Sequence, residues 1–353
     1  MSAKQKSNSG KSAPPSRGFD AELAALEALK FAPIDSAAID HLRKALAHRN
    51  NYVVSKAAKL VADNEIAALL PQVLAAYERF FEDAEKSDPQ CWAKNALVKT
   101  LVKLEHRDKD AYLRGLRHHQ MEPVWGGVTD TAGTLRGECA HALVNCVGIS
   151  DQELLTLLID LFADKDKAVR VEAARAIGNV GGTGAPLLLR LRATLGSDEP
   201  EVLGACYSAL LSLEGARAIP FIAQFLAEGD ELSGEAAFAL AETQEPEALK
   251  ALIARRAAST RSASSRSSSS RVAPSDDWFD SILLSAIALC RLPDAINYLL
   301  EIVARDERAS APAIEAIART APNDEIRARL LRAVESAGSP RLEKALREHL
   351  STT

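Results

Sequence analysis

Two imidazoles, an indole and a carboxylate are crowded into the segment 117–134, which contains His118, His119, Trp125 and Asp130 around the glycine pair Gly126–Gly127. Histidine beside a carboxylate is the material of general acid–base chemistry, and an indole supplies a large, rigid contact surface. Eight residues beyond Asp130, Glu138-Cys139-Ala140-His141 places a glutamate and a histidine on one helical face. Di-metal helical sites use two such pairs plus two further carboxylates, and this chain offers a single pair. His118 and His119 are adjacent, so on a helix they point apart and make a weak chelate. No nucleophile elbow, phosphate-binding glycine loop or Ser-His-Asp order is present. The five cysteines, Cys91, Cys139, Cys146, Cys206 and Cys290, form no CxxC pair. The expectation is a protein without metal, cofactor or catalytic constellation, in which the 117–134 segment binds.

The elements that must carry these residues announce themselves by repetition. Val169-Arg170-Val171-Glu172-Ala173-Ala174-Arg175-Ala176-Ile177-Gly178 returns, altered, as Leu135-Arg136-Gly137-Glu138-Cys139-Ala140-His141-Ala142-Leu143 and Leu232-Ser233-Gly234-Glu235-Ala236-Ala237-Phe238-Ala239-Leu240, and again around Val53–Val61. Recurring units signal stacked helix pairs in place of one globular core. Aligned on the small or apolar residue that begins each packing stripe, the units fall at Ala57, Leu97, Cys139, Ala173, Cys206, Ala236, Leu283 and Ala313. The spacings are 40, 42, 34, 33, 30, 47 and 30 residues. The short spacings fit two helices and two tight turns; the long ones must hold insertions. Hydrophobic residues make up 47% of the chain but aromatics only 5%, so the apolar content is mainly Ala and Leu, a helix-packing composition.

The unit at 150–182 shows the local signals most plainly. Ser150 with Glu153 reads as a capping box. Asp166 reads as the N-cap of the inner helix, Val169, Ala173, Ala176 and Ile177 as its buried stripe, Gly181–Gly182 as its stop, and Pro186 as a first-turn residue of the next helix. Cys139 and Cys206 occupy the register of Ala173 and Ala236 and read as small packing residues.

This pattern resembles the HEAT-repeat family, through Leu158, Leu161, Asp166, Val169, Arg170, Ala173, Ala174, Ala176, Ile177 and Gly178. The likeness is strong over 135–245 and weaker over 31–105 and 276–350. It implies an all-α fold, a right-handed α-solenoid of about eight helix pairs with outer and inner helices, and it implies no particular reaction. HEAT-like deoxyhypusine hydroxylases carry His-Glu dipeptides on inner helices, and this chain has none. HEAT-like alkylpurine glycosylases need a basic face, and the lyases of light-harvesting bilins share only the architecture.

Charge argues the same way. Lys4, Lys6, Lys11 and Arg17 give residues 1–18 four positive charges, and Arg255, Arg256, Arg261, Arg266 and Arg271 give 255–271 five; against a net charge of −5 this leaves the remaining body at −14. An acidic body with basic arms argues against a nucleic-acid partner. No apolar run of about 20 residues is apparent, which argues against a membrane partner, and no secretory signal is visible, so a cytoplasmic location is expected. The domain reading is a disordered basic tail at 1–18 and one solenoid over 19–350. That solenoid carries the 117–134 insertion and a Ser/Arg-rich flexible insertion at 257–275, either a tolerated loop or a basic arm switched by phosphorylation.

The function expected is a protein-binding scaffold, its contacts supplied by His118, His119, Trp125 and Asp130 of the insertion and by Arg136, Glu138, Arg170, Glu172 and Glu235 of the inner helices. For the charged residues the competing reading is local pairing, Arg170 with a neighbouring Asp for instance. For the insertion it is a loop folded over the solenoid edge with Trp125 as its own anchor. The alternative function is an accessory enzyme or lyase-like subunit holding a small molecule near Trp125. Trp92 and Trp278 are expected to cover their own repeats. Nothing in the sequence sets the oligomeric state.

Overall fold

The computed structural model describes residues 17–265, 274–320 and 322–350. The chain forms two compact units, one ending at Ser150 and the other beginning at Asp151. Both are built from helix pairs in the all-α solenoid manner.

The first unit opens with α1 (Arg17–Leu29), followed by α2 (Ser36–Leu46), α3 (Asn51–Asp63) and α4 (Leu70–Arg79). A single turn of helix, α5 (Ala84–Ser87), leads into α6 (Trp92–Lys103), and α7 (Lys109–Leu116) precedes α8 (Gly133–Leu143). The inner helices stack α3 on α6 and α6 on α8, while α2, α4 and α7 pack on their outer side. Between α7 and α8 stands the one sheet among the described residues, an antiparallel hairpin of β1 (Met121–Val124) and β2 (Gly127–Asp130).

The second unit continues the pairing with α9 (Asp151–Phe162) and α10 (Lys167–Val180), α11 (Gly184–Leu195) and α12 (Pro200–Glu214), and the short α13 (Ile219–Ala223) with α14 (Glu231–Glu242). Then come α15 (Pro246–Ser265) and α16 (Pro274–Leu289), α17 (Pro293–Ala304) and α18 (Ser310–Arg319), and α19 (Asp324–Ala337) and α20 (Pro340–Leu350). Here α10, α12, α14, α16, α18 and α20 stack in sequence order, and α9 with α11, α13 with α15, and α17 with α19 form the outer row.

All eight residues used to align the repeats lie on inner helices, and every one is wholly buried. The α19–α20 pair adds Leu342, also wholly buried, as a further member. The small residues serve close packing: a Cβ placed on Gly178 of α10 would stand 2.8 Å from the Cβ of Ala209 on α12. Cys139 and Cys206 are wholly buried as well, and burial pushes both thiols up to about 12. Asp166 caps α10 by accepting from the Ala168 amide at 2.9 Å.

The three long spacings each have a structural cause. The first holds α5 and the segment before α6, the second holds the hairpin, and the third holds the 20-residue helix α15. Of the Ser/Arg-rich stretch 257–275, residues to Ser265 continue α15 and those from Pro274 begin α16; 266–273 lie outside the described residues, as does the tail before Arg17. One correction concerns apolar runs: the helical stretch Pro200–Leu226 is long and apolar enough, by length and composition alone, to cross a membrane. Its apolarity has a local account, since Val202, Leu203, Cys206, Tyr207 and Leu210 of α12 are wholly buried in a helix packed between α10 and α14.

Candidate functional site

The hairpin pairs Met121 with Asp130, Glu122 with Thr129, Pro123 with Val128 and Val124 with Gly127. Trp125 and Gly126 make the two-residue turn, where Gly126 adopts φ +94°, a conformation that strains any other residue. Strand alternation places Met121 and Pro123 on one face with Val128, and Glu122 on the other. Glu122 is buried, whereas Met121, Val124 and Val128 are about half exposed or more and Trp125 is fully exposed at the tip. The indole therefore packs against nothing among the described residues.

What holds the hairpin is its base, where polar groups are buried and mutually satisfied. Asp130 accepts from the amides of Gln120 and Ala132, both at 3.0 Å, from His119 Nδ1 at 2.8 Å and from Arg136 Nη1 at 2.7 Å. Burial works to raise this carboxyl, but those donors outweigh it and hold it at about 2. Glu122 Oε1 takes the Gln90 amide at 2.7 Å, Gln120 Nε2 at 2.5 Å and Thr131 Oγ1 at 2.9 Å. Against burial, these donors keep it below the ordinary glutamate value. His118 stacks edge-on against Phe81 and meets Gln120 Oε1 at 3.1 Å; burial lowers its imidazole below the usual range.

The network continues inward to residues that sequence reasoning missed. Gln120 Nε2 donates to the carbonyl of Asp88 at 2.8 Å. The Asp88 carboxylate accepts from the amides of Ala93 and Lys94 at the start of α6, and its Oδ2 lies 3.1 Å from Lys94 Nζ with both side chains wholly sealed from solvent. Gln90 and Cys91, at φ +60° and +55°, are two consecutive non-glycine residues in left-handed backbone, and Glu122 bonds the amide of the first. The hairpin base and the entry to α6 are thus one hydrogen-bonded body.

Arg136 requires a correction. Sequence reading put it on the partner-facing surface, but it is only 2% exposed, and it holds Asp130 and, at 3.0 Å, the carbonyl of His118. Its counterpart Arg170 behaves alike, donating to the carbonyls of Asp164 and Lys165 at 2.7 and 3.0 Å and pairing with Asp198 and Glu199. The same position, three before the aligned residue, makes such a tie in three further repeats. Lys94 donates to the Phe80 carbonyl at 3.0 Å, Ser233 to Phe225 at 2.7 Å and Ser310 to Ile302 at 2.7 Å. In these five repeats the register ties the inner helix to the end of its outer partner, whereas α3 and α12 carry the apolar Val54 and Leu203 there; the repeat alignment was the signal that could have shown it.

The glutamates two residues further on are more open. Glu138 meets Lys99 at 3.1 Å and Glu172 meets Arg175 at 2.6 Å. Glu235 lies over Gly204, lining a groove of about 420 Å³ with Arg175, Glu201, Ser208 and Ser212. Burial, then the neighbouring carboxylates of Glu201 and Glu242, raise its carboxyl. The structure brings His118, His119, Asp130 and Arg136 together at one base with Trp125 at the far end of the hairpin, while Arg170, Glu172 and Glu235 sit in the second unit. Trp92 and Trp278, expected to cover their own repeats, are 48% and 43% exposed, with Trp92 set against the Tyr52 ring at 5.7 Å.

Stacked pairs with an Ala-rich inner register define an α-solenoid repeat protein. Residues 155–237 match the family model for HEAT repeats, so that stretch is similar to HEAT repeats. No curated protein matches the chain. HEAT repeats generally mediate protein interaction, and the family is typically non-catalytic.

Proposed function

We propose that this protein is a non-catalytic scaffold that binds a protein partner chiefly through the β1–β2 hairpin. The observation that carries the reading is Trp125, fully exposed at the tip of a hairpin whose base is locked by buried polar groups. An exposed indole on a fixed support is the usual chemistry of an interface hot spot, because ordering costs little on binding. Met121, Val124 and Val128 widen the contact around it. The accessory-enzyme reading has less support, since His119 and Asp130 bond each other and Arg136 within the base. The acidic body favours a protein over a nucleic acid, and the cytoplasmic location belongs to the same proposal.

The test is capture from extracts of the native organism with the intact chain and with Trp125→Ser/Val128→Ser, followed by titration of the identified protein in purified form. The proposal expects a partner bound by the intact chain and weakened at least tenfold by the double variant at an unchanged circular-dichroism spectrum. Equal binding by both forms, or no partner for either, overturns it.

A further inference from the structure

The β1–β2 hairpin has two edges, and they are not alike. The Thr131 amide donates to the Gln120 carbonyl at 2.9 Å, so the pairs that exchange main-chain bonds are Gln120–Thr131, Glu122–Thr129 and Val124–Gly127. The pairs between them, Met121–Asp130 and Pro123–Val128, turn their main-chain groups outward. On β1 one of the two outward positions is Pro123, which has no N–H to offer. The hairpin loses no bond by it, and the row of donors along that edge is broken. On β2 Val128 turns both an amide and a carbonyl outward, and no described residue bonds either one. Asp130 repeats the arrangement nearer the base. The strand Gly127-Val128-Thr129-Asp130 holds no proline or lysine, and it pairs without a bulge. Its first three residues are exposed, and a Cβ built on Gly127 would meet no atom within 4 Å. One edge of the hairpin is guarded and the other is open.

The geometry points to an extended segment of the partner protein as the occupant of the β2 edge, added to the hairpin as a third strand. This rests on the reading of the hairpin as the partner contact, and it says how the partner's chain lies there. The outward groups of β2 recur every second residue, about 7 Å apart, and an extended main chain carries amides and carbonyls at that spacing. Alternate side chains of the added strand fall beside Val128, on the face it shares with Met121 and Pro123, and should be apolar or aromatic. The net charge of −5 favours a segment free of Asp and Glu. This chain's own 1–16 and 266–273 are poor candidates, with no β-branched or aromatic residue in the first and one, Val272, in the second. Because Pro123 interrupts the other edge, each hairpin takes one segment.

A random-peptide phage library panned against the full chain supplies the probe. Enriched peptides should alternate apolar residues and bind one to a chain. Val128→Pro withdraws the outward N–H, as Pro123 does on β1, and should weaken these peptides at least about tenfold by fluorescence anisotropy, whereas Val128→Ala keeps the N–H and should cost about threefold or less. On the parent chain, N-methylation of the peptide in one of its two alternate registers should abolish binding, a readout that stands even if the proline variant loses its helical spectrum. Hydrogen exchange at the Val128 amide should slow at least about tenfold with peptide bound. No enriched peptide, equal binding by Val128→Pro, or indifference to methylation in both registers would overturn the proposal. So would protection of the Val128 amide in the free chain that rises with concentration, which assigns the edge to a second copy. A natural partner lost on Trp125→Ser/Val128→Ser but bound fully by Val128→Pro would sink strand addition and leave the hairpin reading standing. Peptides that meet every criterion on a chain with no natural partner would do the reverse.

Discussion

The connection from α7 to α8 and the connection from α9 to α10 solve the same problem at different lengths. Both join an outer helix to its inner partner. The second spans 163–166 and closes with Asp166 as cap and Arg170 bonding the carbonyls of Asp164 and Lys165. The first runs from Arg117 to Ala132 and contains a hairpin, yet Arg136, in the register of Arg170, again reaches back to a connecting carbonyl, that of His118. Insertion changed what projects from the turn and left the tie beneath it in place. Arg170 is also backed by neighbours: Asp198, its partner, receives Arg192 Nε at 2.8 Å as well. Among the described residues, the second side chain that Asp130 bonds is the exposed His119.

The largest effect should come from Lys94, the same register one repeat earlier. Lys94→Met strands Asp88 with no cation in a sealed site and should cost unit one about 3–5 kcal/mol, read as a shift in urea midpoint. Arg136→Ala comes next, at about 3 kcal/mol, because it leaves both Asp130 and the His118 carbonyl short of a donor. Arg170→Ala should cost less, about 1–2 kcal/mol, since Arg192 keeps Asp198 paired. If Arg170→Ala proved the more damaging of the two, the shared-tie account of the two connections would fail.

The acid limb sharpens the comparison. Its donors hold Asp130 at about 2 in the folded chain, below the ordinary aspartate value of 3.8. A depressed carboxyl contributes stability that is complete above the unfolded value and disappears as pH falls through the folded one. Asp130 should thus supply about 2 kcal/mol at pH 5 that is lost between roughly pH 4 and pH 2. Asp130→Asn should be less stable at pH 5 and show a flatter decline over that window, measured by urea midpoints at successive pH values.

Much of the fold was legible because a repeat repeats its physics. The small residues that let inner helices touch recur at fixed register, so Ala57, Cys139, Ala173 and Cys206 could be placed in the core before any coordinates. Asp166 was readable as a cap because capping is local. The base of the hairpin was not legible, since its members Asp88, Lys94, Gln120 and Glu122 meet only after chain segments up to 34 residues apart have been folded together. Arg136 was misplaced for a related reason. Its identity says surface, and its register, which turns the side chain back onto the connection before its helix as Arg170 is turned, makes it internal. The hairpin itself fell between two readings, a loop lying over the edge and a binding loop, because strand pairing of four residues leaves a faint pattern.

The smallest effect on stability should come from the residue with the largest proposed effect on binding. Trp125 makes no contact that folding needs, so Trp125→Ser should move the urea midpoint by no more than about 0.5 kcal/mol. That neutrality is informative when set beside Arg136→Ala. If the hairpin is a presented contact, removing its tip should abolish partner capture at full stability, whereas removing its tie should lower stability first and affect capture by loosening the support. A Trp125→Ser protein that unfolds more readily by 2 kcal/mol or so would show the indole to be packed in solution, and the contrast between a fixed base and an offered tip would collapse with it.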